Sequence, residues 1–149
     1  MIHVLPFIST LVVFVFAFFV LQRYRQRGGM HTLLWGLGFV MYGLGTFAEA
    51  YLAFGYSSFI LHSWYLFGAI LTPAWLGQGT IFLLIRRRNV ANILLIVLIV
   101  ASLFTALHVF SLPTKDALYD VAKPVSGQYK DIMERTSLTT TLLAVFAAY

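Results

Sequence analysis

The sequence predicts an all-α, polytopic transmembrane helix bundle with four complete helices and an incomplete fifth apolar segment. Three observations carry that prediction. Only 10% of the 149 residues are charged and 60% are hydrophobic, with a mean hydropathy of +0.87. A soluble domain carries about 25% charged residues because its surface has to be wetted, so the solvent of this chain is predicted to be lipid. The second observation is four apolar runs, 3–22, 32–54, 59–85 and 90–110. Each reaches the ~20 helical residues needed to cross a hydrocarbon core. The third is the placement of charge: six of the ten basic residues sit in two clusters, Arg23, Arg25 and Arg27, then Arg86, Arg87 and Arg88, each directly after an apolar run.

Helices rather than strands follow from the lack of alternation in the runs. An isolated strand would leave its backbone polar groups unpaired in hydrocarbon. The first run has no basic residue before it and a basic cluster after it, which is the reverse of a cleavable signal peptide. It reads as an anchor with its N-terminus outside. The positive-inside rule then puts loops 23–31 and 86–89 in the cytoplasm, and the uncharged 55–58 turn and the charge-balanced 111–136 stretch outside. Within that stretch the sequence predicts two short surface helices, one opening near Pro113 and ending near Pro124, the other beginning near Tyr129. Ser126-Gly127 is read as a turn between them. The 137–149 segment is apolar but spans only ~20 Å as a helix. It reads as the start of a fifth helix in a longer chain.

Several functions are argued against. The basic residues form no continuous face, so nucleic acid is not an expected partner, and the expected partners are the lipid bilayer and other membrane protein subunits. With no Cys there is no disulfide or thiolate metal site. No Lys occurs within the four runs, which removes a retinal Schiff base there. Gly-rich phosphate loops and the HExxH and GxSxG motifs are absent from the sequence, and no catalytic residue is assigned.

Glu49 is the one carboxylate inside an apolar run. A charge there costs ~2.5–3.5 kcal/mol at mid-membrane and less toward the interface. Trp35, Gly38, Tyr42, Gly45 and Glu49 share one helical stripe, predicted to face protein. Small residues also recur at sevens, as Gly36, Gly43 and Ala50 and as Gly38 and Gly45, which predicts close helix packing. The third run offers a matching stripe of Tyr65, Gly68, Thr72, Trp75 and Gly79, with Pro73 predicted to kink it. The two stripes are expected to pack on each other.

The topology brings His3, Glu49, His62 and His108 to one membrane level. His is a common metal ligand, so Glu49, His62 and His108 are candidate ligands for a divalent metal, and His62 with His108 for haem. A hydrogen bond from Glu49 to one of these His residues or to a Tyr is expected, since a carboxylate in lipid seeks a donor.

The residues Tyr65-Leu66-Phe67-Gly68-Ala69-Ile70-Leu71, Trp75-Leu76-Gly77-Gln78-Gly79-Thr80 and Leu83-Leu84-Ile85-Arg86-Arg87, with Trp35 and Glu49, resemble a segment of bacterial multi-pass membrane proteins of unassigned function. The resemblance covers about a third of the chain. It implies a bacterial inner membrane and further helices after the polar stretch, and no activity. Four helices and one membrane carboxylate also resemble the small multidrug exporters, but those place the carboxylate mid-membrane on the first helix. The function these readings favour is a structural or binding subunit of a larger membrane assembly. The alternatives are an electron-transfer or sensory protein holding haem or metal at the rim, and a small transporter coupled to Glu49.

Overall fold

A computed structural model of the chain describes residues 4–149. The described residues are almost entirely helical, without a strand longer than one isolated bridge between Thr114 and Met133. Four helices are long and apolar enough to cross a membrane: α1 (Val4–Arg27), α2 (Met30–Leu52), α3 (Ser58–Leu84) and α4 (Arg88–Phe110). A single 3-10 turn (Asp116–Leu118), a short helix α5 (Val125–Ile132) and a final helix α6 (Ser137–Ala148) follow.

The helix ends differ from the limits of the apolar runs for a local reason. Hydropathy drops at Arg23, but Arg and Gln are good helix formers, and Arg25 and Arg27 in the last turn complement the helix dipole. The helix stops only at Gly28 and Gly29, whose φ angles of 67° and 98° lie in the left-handed region that glycine tolerates. The predicted 23–31 loop therefore shrinks to two glycines. Likewise Arg88 opens α4, so the 86–89 connection contracts by its last two residues.

Helix α3 is not uniformly α. Trp64–Leu71 is π-helical and Thr72–Leu84 returns to α geometry, with Pro73 at its first turn. Pro73 has no N–H to give, and beside it the Thr72 hydroxyl donates to the Phe67 carbonyl at 2.6 Å. The predicted kink position is thus a change of helix type.

The core gathers around this π-helical half. Leu61, Tyr65, Leu66 and Ile70 of α3 pack with Leu52 of α2, Val109 of α4, Ile132 of α5 and Phe146 of α6. Helix α1 stands apart and packs chiefly on α2. A polar link there is a 3.1 Å hydrogen bond from Thr10 to the Thr46 hydroxyl, which donates onward to the Gly43 carbonyl at 3.0 Å.

The polar stretch is more tightly built, and less helical, than expected. Only a 3-10 turn stands where the first of its two helices was predicted. Ser126 and Gly127 lie inside α5, whose N-cap is Pro124, because Val125, Gln128 and Ile132 form a face that buries itself. Asp120 N–H donates to Gln128 Oε1 at 2.9 Å, and Gln128 Nε2 donates to the Asp120 and Lys123 carbonyls. Lys115 pairs with Glu134 at 2.8 Å beside the Thr114–Met133 bridge.

Tyr119 fastens this stretch to the bundle by donating its hydroxyl to the Leu52 carbonyl at 2.6 Å, with its ring 4.9 Å from Tyr56. Burial pushes the phenol pKa above its ordinary value, and the neighbouring Tyr56 adds to the rise. The unfolded chain therefore ionises first as pH climbs. The stabilisation is complete below about pH 10 and is lost as pH rises through the higher folded-state value. We expect Tyr119→Phe to flatten the alkaline fall in thermal stability, followed alongside tyrosinate absorbance. An unchanged alkaline fall would show that Tyr119 is not its source.

Candidate functional site

Glu49 lies one turn before the end of α2 and is half-buried. The spacing of Tyr42, Gly45, Thr46 and Glu49 sets them on one face of α2, where they line a cleft of about 210 Å³ with Trp64, Gly68 and Ala69 of α3. The helices can approach here because two glycines meet. A Cβ on Gly45 would fall 2.6 Å from the Gly68 Cα. Glu49 also borders a small cavity of about 30 Å³ shared with Pro6, Tyr119 and Lys123. A carboxylate, a hydroxyl and two aromatic rings around one cleft favour a cationic or hydrogen-bond-donating guest.

The expected constellation does not assemble. Among the described residues no three His, Asp or Glu side chains come close enough to hold a metal ion, so Glu49, His62 and His108 do not form one group. Nor does Glu49 make a hydrogen bond to His62, His108 or a Tyr there; no side-chain partner for it is present among those residues. The reason is helix rotation. His62, only 4% exposed, points into the α3–α4 side of the bundle, with Nδ1 2.7 Å from the Ser58 carbonyl and Nε2 3.0 Å from the Leu112 carbonyl. His108 instead turns toward α6, its Nε2 3.1 Å from the Thr139 hydroxyl. Both ring nitrogens of His62 face main-chain oxygens, one a turn earlier on its own helix and one just past α4, so neither is left open to a metal or haem iron. His3 lies outside the described residues.

The glycines divide between two neighbours. Gly36 and Gly43 face α1, where an added Cβ would run into Leu21 and, at 3.0 Å, meet the Phe14 ring. Gly38, Gly45 and Gly79 face the α2–α3 seam, against Leu76, Gly68 and Trp35 respectively. Gly43 therefore serves the α1 contact, while Gly45 serves the contact with α3.

Three sets of partners escaped the sequence reading. Gln78, fully buried, donates Nε2 to the Ala91 carbonyl at 2.8 Å and accepts from the Tyr149 hydroxyl, joining α3 to α4 and α6. Trp75 donates its indole N–H to Ser102 at 3.2 Å. Trp64, Tyr65 and Tyr129 form an aromatic cluster with the Arg135 guanidinium 5.4 Å over the Tyr129 ring. For Gln78 the signal was a polar residue inside an apolar run; Tyr65 and Trp75 stood in the stripe predicted on the third run, without their partners.

At the opposite end of the bundle lie two larger clefts, of about 600 and 670 Å³, bordered by arginines. Compared with known proteins, the chain matches no family model, no curated protein and no solved structure.

Proposed function

We propose that the chain is an integral protein of a bacterial inner membrane and serves as a structural or binding subunit of a larger membrane assembly. Its N-terminus is outside, and its two arginine clusters are cytoplasmic. The observation that supports the subunit reading is the uneven cover of the four long helices. In their most apolar stretches 44% of α2 and 39% of α3 are buried within the chain, against 22% of α4 and 6% of α1. Phe18 of α1 and Val100 of α4 are among the large side chains left open on these flanks. In a bilayer such flanks meet lipid or another helix, and the Gly-seamed α2–α3 pair supplies the rigid centre that holds them.

The chain has no Cys, so single cysteines test this cleanly. Cysteines replacing Arg27 and Arg88 should label from the cytoplasmic side, and those replacing Ser57 and Lys123 from outside; same-side labelling would overturn the topology. In the same series, photo-crosslinkers at Phe18 and Val100 in native membranes should give a protein adduct of one defined size. Adducts to lipid alone at both positions would sink the subunit reading.

A further inference from the structure

We propose that the arginine-bearing end of the bundle holds an anionic phospholipid in a defined site, its phosphate between α1, α2 and the α3–α4 connection and an acyl chain in the cleft between α1 and α3. The proposal rests on the membrane reading above.

Two adjoining clefts make the site. The first, about 600 Å³, runs between α1, α2 and α3; Phe16, Val20, Phe39 and Leu76 supply its apolar wall, and Arg23, Thr32 and Thr80 its polar groups. The second, about 670 Å³, is bordered by Tyr24, Arg86, Arg88, Asn92 and the main chain at Gly28-Gly29. His31 lines both and so joins them, its ring edge-on to Trp35 at 5.5 Å. Both volumes fall in the ~300–1,000 Å³ range of ligand clefts. Apolar wall in one cleft and cationic groups in the next match a molecule with a hydrocarbon tail and a charged head.

The sign of that head follows from what the arginines lack. The ion pairs among the described residues are Lys115–Glu134 and Lys123–Asp120, both in the 111–136 stretch. Arg23, Arg86 and Arg88 therefore have no carboxylate partner there, and the nearest acids in sequence stand at the other end of these helices, Glu49 near the end of α2 for Arg23 and Asp116 beyond α4 for Arg86 and Arg88. Uncompensated guanidinium groups bind phosphate through paired N–H donors. The main chain reinforces the opening, because Gly28 and Gly29 carry no side chain to fill it.

Vesicles of phosphatidylglycerol and phosphatidylcholine, with native mass spectrometry of the solubilised chain, test the site. One phosphatidylglycerol molecule should remain bound in preference to phosphatidylcholine. Arg23→Gln combined with Arg86→Gln should cut its retention roughly tenfold or more. Arg25→Gln with Arg27→Gln removes equal charge outside both cleft linings and should leave retention unchanged. Thr80→Trp, which fills the apolar cleft and spares every arginine, should lower it too. Equal loss in the Arg25/Arg27 variant would mean diffuse attraction and overturn the site, as would equal retention of the two lipids. Displacement by inorganic phosphate at the lipid's concentration would assign the site to free phosphate. Release of the chain from vesicles by alkaline extraction would fail the membrane reading itself, whereas an inserted chain without lipid preference fails this proposal alone.

Discussion

Gly45→Ala is expected to destabilise the bundle by about 1–3 kcal/mol, because a single added methyl group has nowhere to go. Its Cβ would sit 2.6 Å from the Gly68 Cα and 2.9 Å from the Gly68 nitrogen, and both are backbone atoms that cannot rotate away. The helices must part, and the loss spreads to the neighbouring contacts of Gly38 and Gly79 along the same seam. Gly43→Ala is the informative comparison. There the methyl group meets the Phe14 ring at 3.0 Å, a side chain that can swing, so the cost is smaller and falls on the α1–α2 contact. Gly55→Ala, which meets nothing within 4 Å, is the control. Thermal midpoints in one detergent decide the matter: a Gly45→Ala midpoint equal to wild type would remove the close approach of α2 and α3.

His62 gives the second large effect. Replacing it with phenylalanine keeps the bulk but strips the Leu112 carbonyl of its Nε2 partner in a buried position, a loss of about 1–3 kcal/mol. His62→Ala adds a cavity among Leu61, Phe110 and Leu112 and should cost about 2–5 kcal/mol. His108→Phe should be milder, since Thr139 keeps a second hydroxyl partner in Thr136 at 3.0 Å. Chemical denaturation of the three variants in mixed micelles gives the ranking. A His62→Ala protein as stable as His108→Phe would mean that the α3 to Leu112 tie carries little.

The four long helices were legible because their signal is local: an uninterrupted apolar run long enough for a bilayer is visible in the letters. Their ends were less so, since hydropathy falls at Arg23 while the helix runs on to Arg27. Glu49 was legible as the lone carboxylate in an apolar run. Its surroundings were not, because they depend on rotation about each helix axis, which no spacing of glycines fixes. Gly43 and Gly45 illustrate this: two positions apart on one helix, they face different neighbours. The polar stretch was hardest to read. Tyr119 bonds a carbonyl 67 positions away, and His62 one 50 positions away. Bonds to the main chain leave no trace in the identity of the accepting residue.

The π-helical stretch of α3 also governs how its two halves are aimed. Each π turn takes in one residue more than an α turn, and one residue of α-helix corresponds to about 100° of rotation. The extra residue sets the angular offset between the half bearing His62 and Tyr65 and the half bearing Gln78 and Gly79. His62 meets the Leu112 carbonyl just past α4 and Gln78 the Ala91 carbonyl within it, so the two halves of α3 reach the same side of the bundle across this offset. The stretch acts as a fixed twist in the rod, indexing one set of contacts against the other.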